Sequence, residues 1–171
     1  MNTDICISFI IPAYNAENNL KECVQSLVLN NICEQYINKV EIIIIENGSV
    51  DNTMKLAQEI RQHDNRIRVY NSEKGVSKAR NLGLEEARGD YIVFVDADDK
   101  LNKNSINLMI ENLKSDLADL WVYGHIAGNK VKSVTDEKKQ KIYEGNKIHD
   151  GIKKMIENPT RYMQVWGKVF R

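Results

Sequence analysis

Three aspartates follow a strongly apolar stretch in the middle of the chain. Residues 91–95 are aromatic or β-branched, and a continuous run of this kind predicts a strand buried on both faces of a parallel sheet. Asp96, Asp98 and Asp99 come directly after it. Carboxylates this close repel one another unless a cation lies between them, and their hard oxygen atoms suit Mg²⁺ or Mn²⁺. The alternative is a solvated acidic turn, which is common for an isolated D-x-D pair.

Two other stretches predict buried strands that end at polar residues. Residues 5–11 and 40–45 are apolar almost throughout, and the first should stop at Pro12, which cannot donate a hydrogen bond to a sheet ladder. Open α/β sheets bind ligands at the edge where the carboxyl ends of their strands meet, so the residues after both strands should lie near the aspartates. These residues are Tyr14, Asn15, Glu17, Glu46, Asn47 and Gly48.

Tyr14 and Glu46 carry side chains suited to a nucleobase, although each also has an ordinary structural explanation. The ring of Tyr14 offers a flat face for stacking, but an aromatic residue in such a loop is often structural. Glu46 can accept a hydrogen bond from a ring N–H, whereas the alternative is a turn acid or a charge at a helix entry. Gly48 suits a turn with positive φ, after which Ser49 or Asp51 could cap the next helix.

A further helix should begin at Gly75, with Lys78 and Arg80 in its first turn. Positive charge at this end opposes the helix dipole, so the placement is costly unless an anion binds there. Free N–H groups at a helix start, together with an arginine, suit a phosphate group. The alternative is a surface ion pair of Arg80 with Glu73 or Glu86.

Apolar strands alternate with amphipathic helices along the chain. The apolar spacing predicts helices over residues 20–28 and 103–114. This alternation predicts an α/β fold with a mostly parallel, Rossmann-like sheet and helices on both faces. The first strand-to-helix turn contains no glycine, which argues against the G-x-G-x-x-G loop of dinucleotide-binding proteins. Later segments predict a strand over 120–125, a hairpin or loop over 128–146 and a short helix over 150–157.

Composition narrows the class of protein. The 171 residues fit a single domain, and 24 basic residues balance 24 acidic ones, so nothing suggests a nucleic-acid partner. Cys6, Cys23 and Cys33 show neither disulfide nor zinc spacing and should be free thiols of a reducing compartment, used for buried packing. No signal peptide or membrane span is apparent, so we expect the chain in the cytoplasm.

Four short segments together carry a resemblance to a known family. They are residues 12–15 (PAYN), 46–49 (ENGS), 75–81 (GVSKARN) and 96–99 (DADD). Their order and spacing resemble the nucleotide-sugar half of a family 2 glycosyltransferase of the GT-A fold. The resemblance covers about residues 5–101, and fainter features reach Arg171. The family's usual aspartate pair after the second strand is here Glu46 and Asn47, which keeps one carboxylate for the base.

The resemblance implies an inverting, hexosyltransferase-like enzyme that uses a nucleotide-diphosphate sugar, with UDP as the expected nucleotide and Mn²⁺ or Mg²⁺ as cofactor. Its metal would be bound by Asp98, assisted by Asp96 and Asp99, while Arg80 would approach the diphosphate. The acceptor would be a saccharide or a lipid-linked saccharide in the synthesis of cell-surface polysaccharide or glycan, at the inner face of the membrane. The residues implied in nucleotide binding are Pro12, Tyr14, Asn15, Glu17, Glu46, Asn47, Gly48, Ser77, Arg80, Asp96 and Ala97.

We expect one GT-A domain over residues 1–171, with a donor-binding part at about 5–101 and an incomplete acceptor side at 102–171. In the family, a segment like 165–171 (VWGKVFR) precedes the catalytic acid, so the general base is expected beyond Arg171. Exposed apolar surface around Trp166 and Phe170 would then favour a homodimer. The intervening acids, which offer poor substitutes for the base, are Asp116, Asp119, Asp136, Glu137 and Glu144.

Two other functions remain open at this point. A phosphatase of the haloacid-dehalogenase type also places D-x-D after a strand, but it needs a small hydroxyl residue soon afterwards, whereas Lys100 and Leu101 follow Asp99 here. A non-catalytic nucleotide-sugar-binding module could keep the same cleft without the chemistry. A positioned general base would distinguish the enzyme from the module.

Overall fold

The computed structural model describes residues 5–115, 119–122, 125–127, 130–132 and 168–171. The strands in these residues are β1 Ile7–Ala13, β2 Val40–Glu46, β3 Ile67–Asn71, β4 Tyr91–Phe94, β5 Leu120–Val122, β6 His125–Ala127, β7 Lys130–Lys132 and β8 Lys168–Phe170. Six of them form one sheet in the order β3-β2-β1-β4-β8-β5, and β6 and β7 form a separate two-stranded sheet. The helices are α1 Leu20–Val28, α2 Thr53–Arg61, α3 Val76–Glu86 and α4 Ser105–Ser115, with a 3-10 helix at Glu34–Lys39.

Side chains of the central strands alternate between two apolar layers, as strand geometry requires. Ile42 and Ile44 pack into the layer that holds the buried residues of α1, α2 and α4. Ile43 and Ile45 pack into the opposite layer with Ala79 of α3. Helices therefore cover both faces, and strands β3, β2, β1 and β4 are mutually parallel, which confirms the predicted fold class.

The segment at residues 168–170 forms a strand that the sequence did not predict. It lies antiparallel between β4 and β5, and a three-residue strand is too short to carry a periodic pattern of its own. Phe170 is half-buried, with its ring centroid 6.2 Å from that of Phe94, so its expected exposure is wrong. Lys168 is buried, and desolvation lowers the pKa of its ammonium group.

The predicted end of the first strand is also wrong. Strand β1 continues through Pro12 to Ala13 instead of stopping at Pro12. The carbonyl of Ile10 accepts from the N–H of Val95, so the backbone of Pro12, two residues later, faces the same neighbouring strand. The pairing with β4 has ended by that point, so the missing N–H of Pro12 costs the sheet no hydrogen bond. Helix α2 begins at Thr53 with Asn52 at the N-cap position, and of the two predicted caps Asp51 bonds to the helix start, because its Oδ1 accepts from the Thr53 N–H at 3.0 Å.

The three cysteines agree only in part with their predicted role. All three thiols are free, and Cys23 is buried, but Cys33 is exposed instead of packed in the core. The predicted helix over 150–157, Trp166 and the acids Asp116, Asp136, Glu137 and Glu144 lie outside the described residues. No helix within the described part of the chain is both long and apolar enough to cross a membrane.

Candidate functional site

The carboxyl ends of β1, β2 and β4 and the start of α3 enclose a cleft of about 570 Å³. Glu46 ends β2, and Asp98 follows β4 at the same edge of the sheet, as the sequence predicted. The cleft is open and has both polar and apolar lining, which suits a ligand with a flat ring and charged groups. The residues that line it are Pro12, Tyr14, Asn15, Ala16, Asn19, Asn47, Lys74, Gly75, Val76, Arg80, Asp96, Ala97 and Asp98.

The predicted site residues divide into two groups. Those that line the cleft are Pro12, Tyr14, Asn15, Asn47, Arg80, Asp96, Ala97 and Asp98. Those outside its lining are Glu17, Glu46, Gly48, Ser77 and Asp99. The lining residues that sequence reasoning did not assign to the site are Ala16, Asn19, Lys74, Gly75 and Val76. The sequence could have indicated Lys74, Gly75 and Val76, because they stand at the predicted start of a phosphate-binding helix.

The loop after β1 is tied to the loop after β2 by side-chain bonds to backbone N–H groups. The N–H of Asn15 donates to Ser49 Oγ at 3.0 Å, and the N–H of Val50 donates to Asn15 Oδ1 at 3.0 Å. Glu17 Oε2 accepts from both the backbone and the side chain of Asn52 at 2.9 Å. Asn15 and Glu17 therefore hold one wall of the cleft in place.

Glu46 and its neighbour Asn47 have different surroundings. Glu46 is 4% exposed, and its Oε1 accepts from the N–H of Ser49 at 2.5 Å across a turn in which Gly48 has φ +72°. Asn47 reaches the cleft, and its Oδ1 accepts from the N–H of Gly75 at 2.6 Å. The carboxylate of Glu46 thus organises its own turn, while Asn47 joins the end of β2 to the start of α3.

Arg80 points from α3 to the aspartate at the end of β4. Its Nη2 donates to Asp96 Oδ1 at 3.1 Å, and its guanidinium carbon lies 5.9 Å from the centroid of the Phe94 ring. Its Nε is buried and has no hydrogen-bond partner among the described residues. The alternative prediction, a surface ion pair of Arg80 with Glu73 or Glu86, is wrong. Glu73 pairs with Lys78 instead, and Glu86 pairs with Arg68.

The acidic turn after β4 is a region of concentrated negative charge. Asp96 is half-buried, whereas Asp98 and Asp99 are exposed. The thiol of Cys23 donates to the carbonyl of Asp96 at 3.6 Å. Burial, and then the negative charges of Asp99, Asp98 and Asp96, raise the pKa of the Cys23 thiol to about 12.

These carboxylates suit a metal that is shared with a substrate. Within the described residues, no three His, Cys, Asp or Glu side chains come close enough together to hold a metal ion by themselves. Mg²⁺ is commonly held by one or two carboxylates together with the phosphates of a substrate. Asp96 and Asp98, both in the cleft lining, fit that arrangement.

Tyr14 and Lys74 meet across the mouth of the cleft. Lys74 Nζ donates to the hydroxyl of Tyr14 at 2.7 Å and lies 4.7 Å from the centroid of its ring. Tyr14 itself is 41% exposed. The loop after β1 and the loop before α3 are thereby connected on the solvent side.

Known glycosyltransferases are similar to this chain in sequence. An uncharacterized glycosyltransferase of Haemophilus influenzae is 35% identical over 140 residues, which are 78% of this chain and 54% of that protein. Glycosyltransferase GlyA of Streptococcus pneumoniae serotype 4 is 27% identical over an alignment that covers 100% of this chain and 25% of GlyA. The chain therefore spans between a quarter and about half of the length of these relatives.

The fold agrees with solved structures of S. aureus TarS. The structure of TarS 1-349 has a TM-score of 0.74 at 22% identity and covers 98% of this chain and 47% of that one. The same fragment in complex with UDP-GlcNAc has a TM-score of 0.68 at 24% identity, over 78% of this chain and 39% of that one. The sequence profile described as glycosyl transferase family 2 matches residues 8–170. The chain therefore belongs to glycosyl transferase family 2.

Proposed function

We propose that this chain binds a uridine diphosphate sugar in the cleft, and that the protein transfers the sugar to an acceptor hydroxyl with inversion, with Mg²⁺ or Mn²⁺ as cofactor. The observation that carries the proposal is the composition of the cleft, which combines an exposed aromatic ring, two cationic side chains and two carboxylates at one edge of the sheet. The proposed acceptor is a saccharide or lipid-linked saccharide of a cell-surface polymer.

The nucleoside end of the donor is assigned to the side of the cleft formed by β1 and β2. The ring of Tyr14 provides a surface on which a base can stack. Glu46, the residue predicted to accept a hydrogen bond from the base, does not line the cleft, whereas its neighbour Asn47 does. Asn47 is therefore the stronger candidate for this contact. TarS has been solved with UDP-GlcNAc and has the same fold, which supports uridine as the nucleoside.

The diphosphate is assigned to the opposite side, near α3 and the acidic turn. Arg80 has a buried Nε that finds no acceptor in the described part of the chain, and its guanidinium group faces Asp96. A guanidinium group favours phosphate oxygens. Asp98 and Asp96 are the proposed metal ligands, with Asp99 nearby in the same turn. A bound divalent cation would supply charge to neutralise the departing diphosphate.

Inversion by direct displacement also requires a base. The acceptor oxygen attacks the anomeric carbon as the bond to the diphosphate oxygen breaks, and the acceptor proton passes to a carboxylate. Asp119 is unsuited to this task, because it precedes β5, which runs parallel to β4, and therefore lies at the opposite edge of the sheet. Since Asp96 and Asp98 are assigned to the metal, we propose that the base lies outside the described residues.

The test is calorimetric titration of UDP with Mn²⁺, with Mg²⁺ and with a chelator. We expect binding to be at least about tenfold tighter with metal, because the carboxylates otherwise repel the diphosphate. Asp98→Asn should remove most of this difference, whereas Asp119→Asn, at the opposite edge of the sheet, should keep it. Equal UDP affinity with metal and with chelator would refute the metal assignment.

Transfer itself is tested separately with a UDP-sugar panel and saccharide acceptors. Sugar transfer by the chain, or by a longer protein that contains it, is the expected result. Tight UDP binding without transfer in either would instead favour a non-catalytic binding module.

A further inference from the structure

The side-chain amide of Asn47 can adopt only one orientation in this fold. Its Oδ1 accepts from the backbone N–H of Gly75 at 2.6 Å. In an amide group the oxygen accepts hydrogen bonds, whereas the nitrogen only donates them. A reversed amide would set the two hydrogens of Nδ2 against the hydrogen of the Gly75 N–H. The oxygen of Asn47 is therefore held at Gly75, and its nitrogen is the part of the amide left for other contacts.

The Nδ2 group of Asn47 is a donor at the wall of the cleft without an internal partner. Asn47 is 5% exposed and lines the cleft. Its Nδ2 has no acceptor in the residues that the structure describes. A buried donor that stays unpaired costs about 1–3 kcal/mol. Asn47 therefore favours a ligand that places an acceptor atom against its Nδ2.

The end of β2 thus offers the base the opposite polarity from the one predicted for Glu46. That carboxylate was expected to accept a hydrogen bond from a ring N–H. Instead, Glu46 Oε1 accepts from the N–H of Ser49 at 2.5 Å, and the residue does not line the cleft. The next residue, Asn47, does line it and presents a donor. A base at this position is then recognised through one of its acceptor atoms.

The place of Asn47 in the sheet selects one atom of the base. Strand β1 lies between β2 and β4, so the spacing of neighbouring strands sets the ends of β2 and β4 about 10 Å apart. The diphosphate is assigned to the β4 side, near Asp96 and Arg80, and the base then extends towards β2. The uracil atom farthest from the ribose is O4, which accepts hydrogen bonds, whereas cytosine carries an amino donor there. Asn47 can therefore distinguish these two bases.

We infer that Asn47 determines the base specificity of the cleft by donating a hydrogen bond from Nδ2 to O4 of uracil. A cytosine in the same position would set its amino group against Nδ2 and leave both donors unpaired, so CDP is rejected. The inference rests on the proposed function and deepens it, because it names the atom through which a uridine nucleotide is selected.

The test measures the affinities of UDP and CDP by calorimetry with Mn²⁺ in the unaltered chain and in two variants. Asn47→Asp keeps an oxygen for the Gly75 N–H but replaces the Nδ2 donor by an acceptor. Asn19→Asp is the matched control, because it adds the same charge at another residue of the cleft lining, whose side chain makes no capping bond. The ratio of the two affinities is the readout, since an added charge acts equally on both diphosphates.

We expect the unaltered chain to bind UDP at least about tenfold more tightly than CDP. In Asn47→Asp this ratio should fall at least about tenfold, because a carboxylate accepts from the cytosine amino group and repels O4 of uracil. In Asn19→Asp the ratio should stay within about twofold of the unaltered value.

Three results would overturn the inference. CDP could bind the unaltered chain as tightly as UDP, or the preference for UDP could survive in Asn47→Asp, which would mean that Asn47 accepts from the base. Both nucleotides could also lose their affinity in Asn47→Asp but not in Asn19→Asp, which would assign Asn47 to a part of the nucleotide that UDP and CDP share. If the unaltered chain binds neither nucleotide, the proposed function itself is wrong.

Discussion

Asn47→Ala should destabilise the fold through one hydrogen bond. Asn47 is 5% exposed, its Oδ1 accepts from the N–H of Gly75 at 2.6 Å, and its own N–H donates to the carbonyl of Ala13 at 3.0 Å. The alanine variant keeps the backbone bond but leaves the Gly75 N–H without its acceptor. Loss of such a partner in a partly buried site costs about 1–2 kcal/mol.

The expected effect is large enough to measure by thermal unfolding. For a domain of this size, about 1–2 kcal/mol corresponds to a Tm lower by roughly 2–8 °C. Asn47→Asp should melt close to the unaltered chain, because a carboxylate oxygen can accept from the same N–H. Asn38→Ala, at an exposed position of the 3-10 helix, is the control for an ordinary asparagine. A Tm for Asn47→Ala within about a degree of Asn38→Ala would refute the reasoning.

Two further predictions concern the packing of α3 against the sheet and the hydrogen bonds of Glu41 in β2. Gly83→Ala places a Cβ 2.4 Å from Ile10 Cγ2, so we expect urea unfolding to show a loss of about 1–3 kcal/mol in stability. In a double-mutant cycle, Ile10→Ala should relieve part of this loss. If the stability losses of the two single variants simply add in the double variant, the clash is contradicted. Burial raises the pKa of Glu41, but hydrogen bonds from Ser8, the Arg88 N–H and Arg68 outweigh it, so the pKa is lowered in the folded chain. Glu41 then stabilises the fold above its ordinary pKa of 4.5 and loses this effect as the pH falls through the lower pKa of the folded chain. Glu41→Gln should therefore be less stable than the unaltered chain at pH 7 and should lose less stability between pH 5 and pH 3. The free energy of unfolding measured against pH would count against this assignment if the two chains gave parallel curves.

The apolar patterns in the sequence were sufficient to predict the central architecture. The runs that became β1, β2 and β4 are almost continuously apolar, which occurs where both faces of a strand are buried, and amphipathic helices between them require parallel crossovers. Topology alone then brings the residues after these strands to one edge. That is why the cleft and most of its predicted lining, from Tyr14 to Asp98, could be located in advance.

Only the tertiary structure decided which side chain of each loop enters the cleft. Glu46 and Asn47 are adjacent, yet one accepts a bond within its own turn and the other reaches Gly75, 28 residues away. The contact of Lys74 with Tyr14 spans 60 residues, and β8 is paired on both sides by strands distant in sequence. The sequence by itself determined which segments are buried, because burial follows from local patterns of polarity. The partners of the polar side chains depend on distances between loops, and those distances are set only when the sheet and its helices pack together.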